Sequence, residues 1–177
     1  LGRVNEDELM SAINENTIVV SIQAANNEVG TLQDIQRIAV LAHTKGAWMH
    51  SDATQAVGKI DVQTVDWGVD LLSFNAHKMY GPKGVGGLFR LGGRNGVPIE
   101  PLQWGGGQEG ELRPGTLNVP GIVGLGMAAS LAEADLKESA SRISTLRDGF
   151  EALVTTGILG LRVNGDLQRR LPGNSSI

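Results

Sequence analysis

Short apolar runs alternate with amphipathic stretches along the first half of the chain, and this pattern predicts alternating strands and helices. Buried strands are predicted where β-branched and apolar residues follow one another, at 17–24, 47–51 and 69–74. A helix is predicted over 34–45, where Ile35 and Ile38 repeat at core spacing and Gly46 marks the end. Strands that alternate with helices favour an α/β fold, with a mainly parallel sheet and helices on both faces.

The flanking elements are predicted from weaker signals. Asn5 followed by Glu8 predicts a helix start, and 87–91 predicts a further strand. A long helix is predicted over about 121–153, and an apolar stretch at 157–163 predicts one more strand. The elements divide into a large-domain segment (1–120), a connecting helix (121–155) and the start of a smaller C-terminal domain (156–177). Because the first residue is not methionine and the chain stops near an expected strand, we expect a piece of a longer protein.

Composition narrows the class of protein. The chain has 177 residues, of which 41% are hydrophobic and 19% charged, as in a globular protein. A formal charge of −4 gives no general attraction to nucleic acid or to anionic membranes, and we expect no membrane-spanning run and a cytoplasmic location. Cysteine is absent, which excludes disulfides, thiolate metal sites and a cysteine nucleophile supplied by this chain.

Two ionisable residues follow predicted strands and suggest the chemistry. Lys78 comes after the run that ends at Phe74, and Asp52 ends the run that begins at Gly46. A lysine amine in a partly dry pocket is nucleophilic toward an aldehyde, although most lysines are solvated charges. Pyridoxal 5'-phosphate needs such an amine for a Schiff base and a carboxylate for its pyridine nitrogen. Because ligands of open α/β sheets bind beyond the carboxyl ends of the strands, Asp52 and Lys78 predict a site for this cofactor.

Four further polar residues lie close to the same predicted strand ends: Asn27, Gln55, Asn75 and His77. Each can offer a donor to the ring or to the phosphate of a bound cofactor. Taken singly, each is more often an ordinary turn, surface or hydrogen-bonded residue. Their joint placement favours the functional interpretation.

Five stretches carry a resemblance to the cysteine desulfurase family, within the class V aminotransferase-like, fold-type I pyridoxal-phosphate enzymes. They are Asn26–Thr31, His50–Lys59, Ala76–Gly84, Gly105–Glu109 and Leu112–Thr116. They occur in the family's order over essentially the whole chain. The resemblance implies that the chain forms part of the large domain of a fold-type I enzyme.

The resemblance also implies a role for each candidate residue. Lys78 would carry the cofactor as a Schiff base and move the proton at the substrate carbon, and Asp52 would pair with the pyridinium nitrogen. Gln55 and Asn27 would lie at the phenolic oxygen, Asn27 also near the substrate carboxylate. Phosphate contacts are implied for three residues: His77, Asn75 (where the family usually has serine) and Thr116, which would reach the phosphate of the other subunit of a homodimer.

The implied activity of the parent protein is a sulfur transfer from L-cysteine, which leaves alanine and an enzyme persulfide for iron–sulfur cluster or thio-cofactor assembly. A sulfur-acceptor or scaffold protein is the expected partner. The family's upstream phosphate loop and its sulfur-accepting cysteine lie outside this segment, so the segment is expected to be catalytically incomplete. Two alternatives stay open: a selenocysteine lyase and a non-catalytic cofactor-domain or interaction fragment. A dinucleotide-binding fold is disfavoured, because Gly84–Gly87 does not lie between a strand and a helix.

Overall fold

The computed structural model describes residues 1–177 and has a four-stranded sheet at its centre. The strands are β1 (Val19–Gln23), β2 (Trp48–Asp52), β3 (Leu71–Asn75) and β4 (Gly86–Arg90), and they lie side by side in that order. The helices are α1 (Glu6–Ala12), α2 (Ile35–Thr44) and α3 (Val119–Gly157). The α/β class and the predicted strands from 17 to 91 are confirmed.

The first three strands are parallel, whereas β4 runs antiparallel to β3. The connection 76–85 joins β3 to β4 without a crossover, and a connection of this kind leads to an antiparallel partner. The parallel register pairs Gln23 with Asp52 and Asp52 with Ser73. The carboxyl ends of β1, β2 and β3 therefore lie at one edge of the sheet.

One face of the sheet forms the core. Side chains alternate along each strand, so Val20, Met49 and Leu72 point to the same side, where all three are buried. The buried stripe of α2 belongs to the same hydrophobic cluster, as the spacing of Ile35 and Ile38 predicts. Asp34 caps this helix by accepting a hydrogen bond from the backbone N–H of Arg37 at 3.1 Å.

The opposite face of the sheet is open in this chain, where helices on both faces were expected. Val19, Trp48 and Leu88 lie on this face and are exposed. The connection from β2 to β3, residues 53–70, forms turns rather than a regular helix, so no crossover helix covers this side. The site described below lies next to this open face.

The long predicted helix is confirmed as α3, which extends the prediction by a few residues at each end. It begins at the Asn118 cap, whose Oδ1 accepts from the N–H of Gly121 at 3.1 Å. Small residues allow close packing, because Gly124 lies against Pro82 and Ala128 against Gly81. By length and composition alone, α3 is also long and apolar enough to span a membrane, which the sequence pattern did not lead us to expect.

The strand predicted at 157–163 is wrong. α3 continues to Gly157, and no strand is formed beyond it. The apolar residues of this stretch find no neighbouring strand to pair with, and Leu159 is fully exposed. An apolar run predicts a strand only when a partner is present.

The C-terminal segment packs on the loop after β1. The N–H of Leu171 donates to the carbonyl of Gly30 at 2.9 Å, and the N–H of Asp166 donates to Thr31 Oγ1 at 3.0 Å. Leu171 belongs to the buried cluster around the sheet. The division of the chain at 120 and 155 stays a prediction.

A buried ion pair joins this segment to α3. Arg170 donates to both carboxylate oxygens of Glu151, at 2.7 and 2.6 Å, and the two side chains are 6% and 10% exposed. The hydrogen bonds from Arg170 hold the pKa of Glu151 below its usual range, although burial acts in the other direction. Both charges are therefore satisfied only while the segment stays docked.

We expect Glu151→Gln to lower the free energy of unfolding at pH 7 by about 3 kcal/mol, because Arg170 loses the charge that compensates it. Asp148→Asn removes an exposed carboxylate 3.4 Å from Arg170 and should cost less than about 1 kcal/mol. Chemical denaturation of the three proteins measures both values.

The same comparison has a pH dependence. A carboxyl group with a depressed folded-state pKa stabilises the fold above its unfolded pKa and loses that contribution as the pH falls through the folded one. The difference between wild type and Glu151→Gln should therefore narrow in acid. A difference that stays constant from pH 7 to pH 3 would contradict the ion-pair interpretation.

Candidate active site

The two residues proposed for the central chemistry lie at adjacent strand ends. Asp52 is the last residue of β2, and Lys78 lies in the single 3₁₀ turn His77–Met79 that begins two residues after β3. Because β2 and β3 are parallel neighbours, their ends lie at the same edge of the sheet. Lys78 is partly buried, while Asp52 is exposed. The structure thus brings the amine and the carboxylate to one edge, as the sequence predicted.

Packing fixes the turn that carries Lys78. Met79 is buried beside it, and the carboxamide oxygen of Asn75 accepts a hydrogen bond from the backbone N–H of Lys78 at 3.1 Å. Tyr80 has a left-handed conformation (φ 65°), and a Cβ on Gly81 would lie 2.9 Å from the Cβ of Ala128 in α3. The backbone before and after Lys78 is therefore held on both sides.

The carboxylate of Asp52 keeps one oxygen available. Its Oδ1 accepts from the N–H of Thr54 at 2.9 Å, and no hydrogen bond within the chain uses Oδ2. The backbone carbonyl of Asp52 accepts from Ala24 at 2.8 Å, which ties the end of β2 to β1. The hydrogen bond at Oδ1 orients the side chain, and Oδ2 can accept a hydrogen bond from a cationic N–H.

Gln55 lies in the turn after β2 and is oriented by a residue that the sequence analysis did not select. Its Oε1 accepts from Lys59 Nζ at 2.6 Å. Because a lysine ammonium only donates, Oε1 must face Lys59, and the Nε2 donors remain for another partner. The only sequence signal for this contact is the i, i+4 spacing of the pair.

The pKa of Lys59 indicates that its amine lies close to that of Lys78. Burial and then the charge of Lys78 lower the pKa of Lys59. Gln55, Lys59 and Met79 help line a cavity of about 660 Å³ between this edge of the sheet, α3 and the C-terminal segment. Lys59 therefore lies in a partly desolvated region close to Lys78, and burial there disfavours the charged form of Lys59.

Asn27 lies in the exposed loop after β1. The turn is made by its neighbour Asn26, whose Oδ1 accepts from Glu28 and Val29, both at 2.9 Å. The carbonyl of Asn27 accepts from the side chain of Asn174 at 3.2 Å. The side chain of Asn27 makes no hydrogen bond within the chain, so its donor remains available.

The remaining candidates divide into two places. Asn75 ends β3 and His77 follows it, so both lie beside Lys78, and His77 is exposed. Thr116 lies in the exposed loop before α3 and makes no hydrogen bond with the other candidates. Six of the seven candidates therefore lie at or just beyond the strand ends at one edge of the sheet, whereas Thr116 lies on the loop before α3. Their individual roles stay predictions.

The donor set at this edge fits pyridoxal phosphate. It combines a primary amine, a carboxylate with an unused oxygen and an oriented amide donor, on Lys78, Asp52 and Gln55. The amide nitrogen of Asn75 and the ring of His77 can bind an anion next to the amine. A cofactor with an aldehyde, a pyridine nitrogen, a phenolic oxygen and a phosphate needs these groups.

Comparison with known proteins gives an independent result. The family model for class-V aminotransferases matches residues 1–173. The chain is 44% identical over 173 residues to the cysteine desulfurase IscS of Dictyoglomus turgidum, and 44% identical over 177 residues to that of Methanosarcina thermophila. These alignments cover 98% and 99% of this chain but 43% of each relative. The chain thus spans less than half the length of the curated relatives that it matches.

Solved structures show the same fold. A NifS-like protein superposes with a TM-score of 0.89 at 43% identity, covering 97% of this chain and 46% of that one. DndA from Streptomyces lividans gives a TM-score of 0.86 at 35% identity, covering 97% and 48%. The match over nearly the whole chain leads to one conclusion: the chain belongs to the class-V aminotransferase family.

Proposed function

We propose that the whole protein is a pyridoxal-phosphate-dependent cysteine desulfurase and that this chain supplies the part that binds the cofactor ring. Two findings support the proposal. The two relatives compared above, which align over 98% and 99% of the chain, are named cysteine desulfurases, and Asp52 and Lys78 lie at the ends of adjacent strands. The second observation carries the proposal, because it provides the pair of groups on which this chemistry depends.

Each residue at the edge has a defined task. When bound, the cofactor supplies an electron sink for the bond that breaks at the substrate carbon. Lys78 would hold the cofactor at its aldehyde carbon, with loss of water, and its amine would move a proton at the substrate carbon. Oδ2 of Asp52 would accept a hydrogen bond from the pyridine nitrogen and so favour its protonated form.

The amide donors hold the other atoms. Gln55 presents Nε2 to the phenolic oxygen, because Lys59 occupies its carbonyl oxygen. Asn27 lies after the neighbouring strand β1, from which it can donate to the same oxygen or to a substrate carboxylate. His77 and Asn75 bind the phosphate. Together these residues would orient the ring relative to Lys78.

The reaction of the whole protein extends beyond these residues. The proposed substrate is L-cysteine, and the sulfur passes to an acceptor group that this chain cannot supply, because it contains no cysteine. We also propose a cytoplasmic homodimer in which Thr116 reaches the phosphate of the second subunit, and a separate acceptor or scaffold protein for the sulfur. Thr116 is exposed on the loop before α3, which supports this arrangement.

Covalent trapping tests the proposed site. Incubation of the wild-type chain with pyridoxal phosphate, followed by borohydride reduction, should fix one cofactor on Lys78, which peptide mass spectrometry can locate. Lys78→Ala should lose at least nine-tenths of the adduct, because the neighbouring amine of Lys59 is held by Oε1 of Gln55. Lys83→Ala is the matched control, since it removes a lysine five residues away, and it should label normally.

Two outcomes would contradict this assignment. An unmodified Lys78 in the wild-type chain would show that the edge does not hold the ring. Equal labelling of Lys78→Ala at Lys59 would move the attachment to the neighbouring amine.

Asn75 gives a second prediction, because its side chain serves both the turn and the phosphate. Asn75→Ala removes the acceptor of the Lys78 N–H, at a cost of about 1 kcal/mol, while Asn75→Ser restores an acceptor. Hydrogen exchange at the Lys78 amide should become roughly fivefold faster in the alanine variant, as expected for about 1 kcal/mol. It should stay near wild type in the serine variant. Equal exchange in all three proteins would show that Asn75 does not hold the turn.

A further inference from the structure

A chain of hydrogen bonds crosses the first three strands on the open face of the sheet. Ser21 Oγ of β1 lies 2.7 Å from His50 Nδ1 of β2, and His50 Nε2 lies 3.2 Å from Ser73 Oγ of β3. A neutral imidazole has one donor and one acceptor, and each hydroxyl can serve as either. The chain can therefore be completed around an uncharged histidine.

The chain lies directly below the end of β2. His50 and Asp52 are two residues apart and so share a face, separated by roughly 7 Å along the strand. In the register, Ser21 is paired with His50, and Ser73 is paired with Asp52. The imidazole thus links β1 and β3, the two strands on either side of β2, two residues before Asp52.

Few charges surround this imidazole. Its neighbours on β1 and β3 do not titrate, and no helix covers this face. Arg90, the charged residue on the same face of β4, donates its Nε to the carbonyl of Val97 at 2.7 Å. Burial lowers the pKa of His50 below the usual histidine value, while the charge of Asp52 acts in the opposite direction. Asp52 is therefore the charge with which His50 interacts.

We propose that His50 is a positioning residue for Asp52, because the Ser21–His50–Ser73 chain ties β2 to both neighbouring strands just before the end that carries the carboxylate. The inference rests on the proposed function, because Asp52 needs a fixed position only if it meets the ring nitrogen. A neutral imidazole does not attract the carboxylate of Asp52, which can then interact with the ring nitrogen alone. An imidazolium at the same place would compete with the ring nitrogen for the negative charge of Asp52.

The first test needs no cofactor. Nuclear magnetic resonance titration follows His50 in the wild-type chain and in Asp52→Asn, with His50→Gln used to assign the signal among three histidines. The Asp52→Asn variant should titrate at a lower pH, because the stabilising charge of the carboxylate is lost. Asp61→Asn removes an exposed carboxylate away from this face and should leave the titration unchanged. An unchanged titration in Asp52→Asn would overturn the proposal.

The second test uses the cofactor-loaded chain. His50→Gln can still bridge both serines but cannot take up a proton, so it should keep the Lys78 adduct. We expect the wild type to change its visible absorbance at low pH as His50 takes up a proton, and His50→Gln should lose that change. His50→Ala breaks the bridge and should reduce the adduct. An identical pH profile in wild type and His50→Gln would overturn the proposal, since a purely structural role would leave that profile intact.

The two tests separate this inference from the function on which it rests. A shifted titration in Asp52→Asn without any adduct on Lys78 would overturn the cofactor assignment alone. An adduct on Lys78 without the shifted titration would overturn the role of His50 alone.

Discussion

The parallel pairing of β1, β2 and β3 is the constraint on which the candidate site depends. A one-residue slip of β2 would turn Asp52 to the core face and leave Met49 on the open one. Burial of Met49 between α2 and the sheet prevents this slip, because the apolar side chain loses its burial if the register changes. The hydrophobic core thus determines which side of the sheet carries the chemistry.

A second layer of packing places the amine. The turn with Lys78 is anchored by Met79 below and by α3 beside it, where glycine and alanine allow the backbones to approach closely. The C-terminal segment in turn docks on α3 through Arg170 and on the loop that carries Asn27. Residues far apart in the sequence therefore stabilise the same edge of the sheet.

Much of this arrangement could be predicted from the sequence. Strand runs that end in Asp52 and lead to Lys78 indicated the site, because parallel strands bring their carboxyl ends together. The antiparallel β4, the open face and the absence of a strand at 157–163 could not be predicted in this way, because each depends on which neighbours are available. The lysine that orients Gln55 was also missed, since a lysine four residues from a glutamine is more often a solvated charge.

The candidate site combines residues that are individually unremarkable for a sheet edge. Asn75 serves as a turn acceptor, Asp52 accepts from the turn that follows it, and Gln55 binds a neighbouring lysine. In each case one polar atom is used to fix the side chain, and a second atom stays available. Each side chain is thus oriented by one hydrogen bond and keeps a second polar atom for a ligand. Such an edge can bind a ligand with several polar atoms.

The pairing of Asp52 with the ring nitrogen is the central claim, and the protonation state of that nitrogen tests it most directly. Pyridoxal phosphate labelled with ¹⁵N in the ring, bound to the wild-type chain, should show the chemical shift of a protonated pyridinium. The Asp52→Asn variant should show that of a neutral pyridine. A neutral ring in the wild-type chain, or a protonated ring in both proteins, would contradict the account.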